Sequence, residues 1–209
     1  EMIMGIFSKL FGKKKEKIKK TKEEKKFTWF TLHINARLQP MHRGAIYEDP
    51  LDKFLHAVGA GEVSGGGTLM RDNEGGGPQS CDVELSIRKG LEDRFISTIK
   101  DAPIPKGSEL IFVEEEDKSI PLGNLEGLAL YLNGTDLPKE VYERNSVDKV
   151  IEDLIALMGD SHEFFSFWSG PKETGLYFYG KSFDDMNAAI KGYVSTAPLC
   201  EKSRIEQLC

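Results

Sequence analysis

From Phe27 onward the apolar residues switch repeatedly between period two and period 3.6, which predicts short strands alternating with amphipathic helices. "FTWFTLHINA" predicts a strand. "PLDKFLHAVG" predicts a short helix with Asp49 as its cap, Pro50 in its first turn and Gly59 at its end. "GEVSGGGTLM" reads as a glycine-weakened strand and "CDVELSIR" as a firm one, with Val83, Leu85 and Ile87 on one face. "LEDRFISTIKDA" turns Leu91, Phe95, Ile96 and Ile99 inward, and "SELIFV" closes a β-α-β-β-α-β order.

Across the acidic stretch "EEEDKSIPLGNLEG" the same order returns. "LALYLNG" is a strand, and "SVDKVIEDLIALMG" is a helix capped by Ser146 with Val147, Val150, Ile151, Leu154 and Leu157 inward. "EFFSFW" and "GLYFYG" form a hairpin around "SGPKET"; "SFDDMNAAIKGYVSTA" is a helix capped by Ser182, and "SRIEQL" is the last strand. Co-linear residue pairs follow both copies: Asn35 and Pro40 with Asn133 and Pro138, Tyr47-Glu48 with Tyr142-Glu143, Ala102-Pro103 with Ala197-Pro198.

The expected fold is therefore α+β: a tandem duplicated ferredoxin-like arrangement, βαββαβ twice, of antiparallel sheets with helices on one face. Residues 27–113 and 127–209 are the two repeats, 114–126 an acidic linker and 1–26 a flexible basic tail. The strands are apolar on both faces, Trp29, Phe165, Phe167, Tyr177 and Tyr179 alternating with Phe30, Phe164, Trp168 and Phe178. An apolar second face needs a cover, so the two sheets are expected to meet each other or to join edge to edge.

Charge sharpens the picture. Residues 1–26 carry net +6 and the remaining chain net −12. An acidic body repels nucleic-acid phosphates and suits a basic protein partner. In the tail, Ile3, Ile6, Phe7, Leu10 and Phe11 recur at helical spacing before a lysine run. That pattern fits either peripheral contact of residues 3–20 with the inner membrane surface or a solvated tether. Three widely spaced cysteines without a CxxC, and no apolar run of about 18 residues, point to a reducing, cytoplasmic location.

Candidate chemistry gathers in the first β-α connection, "NARLQPMHRGAIYED". There Arg37 and Arg43 suit a bidentate clamp on a carboxylate or phosphate, and His42 suits a general base. Tyr47, Glu48, Trp168 and Lys172 complete a candidate binding set. The four histidines share no ligand spacing, no serine sits in a G-x-S-x-G elbow, and neither metal nor cofactor is expected. "SGGGT" lacks the P-loop lysine and leads into a strand rather than a helix, so the glycine strand is expected to be packed by the first β-α loop.

These features indicate a non-catalytic acidic binding or adaptor protein of bacterial type, toxin-neutralising (immunity-like) in physical character, that engages a protein partner. Two alternatives stand beside it. One is a small-ligand enzyme or sensor with a pocket built on Arg37, His42 and Arg43; the other is a membrane-surface-tethered regulator.

Overall fold

The computed structural model describes residues 27–72, 75–115 and 117–209, so the basic tail expected at 1–26 lies outside the described residues. The architecture is α+β with two antiparallel sheets. Sheet A takes β1 (Phe27–Ile34), β2 (Gly61–Met70), β3 (Pro78–Arg88), β4 (Ser108–Phe112) and β5 (Ser119–Leu122) in the order β2-β3-β1-β4-β5. Sheet B takes β6 (Glu126–Asn133), β7 (His162–Ser169), β8 (Glu173–Gly180) and β9 (Arg204–Gln207) in the order β7-β8-β6-β9.

Among the described residues six α-helices connect them: α1 (Pro40–Arg43), α2 (Asp49–Val58), α3 (Glu92–Lys100), α4 (Lys139–Arg144), α5 (Val147–Met158) and α6 (Phe183–Val194). Local signals set several ends. Ser146 accepts from the Asp148 amide and Ser182 from the Asp185 amide, while Gly59 ends α2 in the left-handed region at φ 65°. Two segments depart from expectation. Helix begins at Pro40 and runs through a π-turn, Gly44–Glu48, straight into α2, so Asp49 (φ −62°, ψ −46°) is mid-helix and caps nothing. And β5, inside the stretch expected as a linker, adds a fifth strand to sheet A by pairing with β4.

Alternation along the strands decides what covers each sheet. In sheet A, Phe30, Leu32, Ile34, Val83, Leu85 and Ile87 are fully buried on one face, beneath Leu51, Phe54 and Leu55 of α2 and Phe95 and Ile99 of α3. In sheet B, Leu128, Leu130, Leu132, Leu176 and Phe178 lie beneath Val150, Leu154 and Met158 of α5 and Met186 and Ile190 of α6. Leu157, expected inward, is 47 % exposed, and Met158 fills that place instead. One helical residue further on turns the side chain by about 100°.

The second faces differ. Ala129, Tyr131, Phe165, Tyr177 and Tyr179 on sheet B join the same apolar cluster as the core of sheet A, so sheet B is buried on both sides. The sheets remain separate and are not joined edge to edge. What meets sheet B is the segment from Asn35 into the π-turn together with Arg71 and the stretch Gly75–Gly77. Among the described residues the second face of sheet A is uncovered. Along β1 and β3 it presents Trp29, Thr31, His33, Asp82 and Glu84, with Glu109 of β4 and Glu62 of β2 beside them.

Candidate functional site at the seam between the sheets

The first β-α connection makes most of its polar contacts inside the chain. Backbone requirements come first: the Arg37 amide donates to Tyr179 Oη at 2.9 Å, and Gln39 Nε2 donates to the Phe167 carbonyl at 2.5 Å. A bulge in β7 makes this possible. Phe164 pairs with Phe178 and Ser166 with Tyr177, so Phe165 is the extra residue, and it swings onto the seam against Tyr179 and Tyr47. The same shift brings the fully buried Ser166 hydroxyl to 2.7 Å from His42 Nδ1.

Each candidate residue can now be placed. Arg37 donates from Nη1 to the Gln79 carbonyl at 2.9 Å. His42 lies on Ser166 with its ring 5.7 Å from that of Phe167. Arg43 donates from Nε to Glu48 Oε1 at 2.7 Å and from Nη1 to Thr68 Oγ1 at 2.8 Å, and Thr68 in turn donates to the Leu38 carbonyl. Tyr47 is buried, with its hydroxyl 3.3 Å from the Pro103 carbonyl. Trp168 donates from Nε1 to the Gly75 carbonyl at 3.1 Å. Lys172 is exposed in the β7–β8 turn. The first six line the seam; of these side-chain bonds, those of His42 to Ser166 and of Trp168 to Gly75 cross between the two halves of the chain.

The glycines belong to this seam. A Cβ on Gly66 would overlap the Asp82 carbonyl oxygen and Glu48 Oε1 and press on Arg43 Nε at 3.1 Å, so the bare strand is bare because the Arg43–Glu48 pair lies on it. Gly77 (φ 90°) serves a second close approach: its Cβ would stand 2.9 Å from Trp168 Cδ1 and 3.1 Å from Arg71 Nη2. Gly75 to Gly77 are thus docked on the indole.

Titration follows burial. Desolvation lowers the His42 pKa below its ordinary value, so the folded protein favours the neutral ring. A histidine depressed on folding stabilises the protein above the unfolded value, about 6.5, and that contribution is lost as pH falls through it. The stability of wild type relative to His42→Gln is therefore expected to fall between pH 7 and pH 5 in urea titrations; a difference flat across that window would remove His42 as the titrating group. Burial pushes the Cys81 thiol up to about 12 and the Cys200 thiol up to about 11, which leaves both as unreactive thiols at neutral pH. Among the described residues no cluster of His, Cys, Asp and Glu suits a metal ion, and no helix is long and apolar enough to cross a membrane.

Sequence reasoning missed part of the seam. Among the described residues the buried hydroxyls of Tyr131 and Tyr177 have no hydrogen-bond partner, and neither has the buried Nε of Arg71. Leaving such a group unpaired costs about 1–3 kcal/mol. Arg204 lies with its guanidinium carbon 3.8 Å from the Tyr131 ring centroid. In one row across sheet B stand Trp168, Gly175, Tyr131 and Arg204, a juxtaposition that only strand order reveals. A separate cleft of about 300 Å³ lies in the second half, between Arg144, Lys149, Tyr193 and Pro198, away from all seven candidate residues.

No family model matches the sequence, and no curated protein matches it. Among solved structures, one described as "Putative monooxygenase" from Fusobacterium nucleatum subsp. nucleatum aligns over 87 % of this chain and 90 % of its own. The two share 12 % identity with a TM-score of 0.29, a likeness too slight to carry an argument about fold or chemistry.

Proposed function

We propose that the protein is a non-catalytic binding protein that takes a basic segment of a protein partner on the open face of sheet A. The observation that carries the reading is the composition of that face. Glu62, Asp82, Glu84 and Glu109 stand on it around Trp29, which is 41 % exposed, and Val113, which is 59 % exposed. Arg88, at the end beside Phe27, is the one arginine in its register. Carboxylates around an exposed indole suit lysine and arginine side chains, through charge steering and cation–π contact.

The reading includes a tandem ferredoxin-like duplication, supported by equivalent strand rows. Val63, Leu85, Phe30 and Phe112 lie side by side across β2-β3-β1-β4, as Phe164, Phe178, Leu128 and Gln207 do across β7-β8-β6-β9. Each half also has a bulge one residue after that row in its second strand, at Ser64 and at Phe165. On this reading the open face of sheet A corresponds to the face of sheet B that the first half covers. In one copy a protein surface is already seated there; in the other, none of the described residues is.

A photo-cross-linking residue in place of Trp29 tests the proposal. We expect a cross-linked protein whose attached peptide is rich in lysine and arginine, and a loss of roughly tenfold or more when Asp82→Lys and Glu84→Lys are introduced together. Cross-linking that survives the charge reversal, or equal capture from a probe at Leu157 on α5, would sink the reading.

A further inference from the structure

We propose that the seam contains a binding site for a small oxyanion, a carboxylate or a phosphate group, held by Arg71 Nε and the hydroxyls of Tyr131 and Tyr177. Among the described residues four buried side-chain atoms lack a hydrogen-bond partner, and three of them belong to this cluster. Their neighbours place them together. Tyr131 pairs directly across from Gly175, and a Cβ there would touch both Tyr177 Oη, at 2.6 Å, and Tyr131 Cε1, at 3.0 Å. The two tyrosine rings are 6.2 Å apart, and the Arg71 guanidinium carbon is 6.0 Å from the Tyr131 centroid. Tyr177 is fully buried and Tyr131 is 2 % exposed.

The chemistry of the set selects its ligand. Arg71 Nε can only donate, and a neutral phenol donates as readily as it accepts, so an oxygen that accepts from all three satisfies them at once. Burial holds the Tyr177 phenol above its ordinary pKa, which keeps its proton available. The Arg204 guanidinium over the Tyr131 ring draws on its π density and strengthens that hydroxyl as a donor. Charge agrees. Arg37 and Arg71 both act on the Tyr177 hydroxyl, while the carboxylate of Glu173, also near it, is bound by Arg204 at 2.8 and 3.0 Å. Glu206 pairs with Arg204 as well. Arg71 is itself partly exposed, so the cluster reaches the surface on its side.

Trp168 reports on the site, because it neighbours Gly175 in the same row and its indole lies beside Arg71 Nη2 across Gly77. In the full chain carrying Trp29→Phe, Trp168 emission is titrated with sodium phosphate, sodium sulfate and sodium acetate at ionic strength fixed with sodium chloride. We expect a saturable change, with acetate separating a carboxylate site from a phosphate site by its relative affinity. Tyr131→Phe/Tyr177→Phe keeps both ring shapes and is expected to weaken binding at least tenfold, and Arg71→Met to do the same, with thermal unfolding still cooperative. No saturable response to any of the three anions, or an equal response in the double phenylalanine variant, would overturn the site. This outcome is independent of the partner face on sheet A, which none of the three ligand substitutions touches.

Discussion

Gly66→Val is expected to destabilise the protein by about 3 kcal/mol or more, while Gly65→Ala and Gly67→Ala, its immediate neighbours, leave stability unchanged or raise it slightly. The contrast follows from alternation along β2. Gly65 and Gly67 have nothing within 4 Å of where a Cβ would stand. Gly66, paired with Val83, points under the π-turn, where the Asp82 carbonyl oxygen, Glu48 Oε1 and Arg43 Nε already fill the space. Of these, the carbonyl cannot retreat without moving β3. The Arg43–Glu48 pair could move, but its side chains are only 11 % and 23 % exposed, and separating them would leave two poorly hydrated charges and free Thr68 from Arg43. Equilibrium urea unfolding of the three variants measures the pattern. Equal losses at all three positions would mean that strand flexibility, rather than the seated ion pair, requires glycine there.

That triplet also shows how far sequence reading reached. A glycine-rich strand packed by the first β-α loop could be inferred because no phosphate motif fitted and a bare strand needs a neighbour. Which glycine mattered could not, since the answer depends on the bulge at Ser64 that sets the parity of everything after it. The caps at Ser146, Ser182 and Gly59 were legible because they act within one turn of chain. Helix from Pro40 through Glu48 was not. Met41 is 72 % exposed, no apolar stripe runs along the segment, and its helical form rests on distant partners: Ser166 for His42, Thr68 for Arg43, Phe165 for Tyr47.

The candidate site divides in the same way. Arg37, His42, Arg43, Tyr47, Glu48 and Trp168 were found by residue type, and all six stand at one seam. Their side chains, however, are bonded within the chain, a property that no local pattern encodes. In the sequence Tyr177 reads only as an apolar ring on a face that needs a cover, and Tyr131 does not stand out at all, because the pattern of an aromatic strand says nothing about its hydroxyls. Their hydroxyls became informative only when the fold set them near Arg71, some sixty residues before Tyr131 and over a hundred before Tyr177.

The seam itself can be tested for its weight in the fold. Phe165→Ala is expected to cost about 3–5 kcal/mol, the range for removing a buried phenylalanine ring. Phe165 is 3 % exposed, 4.7 Å from the Tyr179 ring and 6.2 Å from the Tyr47 ring, so its loss opens a cavity between the halves rather than within one of them. Neither rigid tyrosine can follow it inward, because the Tyr179 hydroxyl is bonded to the Arg37 amide and the Tyr47 hydroxyl to the Pro103 carbonyl. Phe164→Ala, one residue away but only partly buried on the helix-covered face, removes the same ring from a site inside the second half and is expected to cost less. Calorimetry distinguishes the two. If the seam couples the halves, wild type melts in one transition, and Phe165→Ala lowers its midpoint or splits it while Phe164→Ala shifts it without splitting. A Phe165→Ala loss below about 1 kcal/mol would mean the halves are stable without that contact, and the hydrogen bonds from Arg37, Gln39 and Trp168 would then carry the coupling.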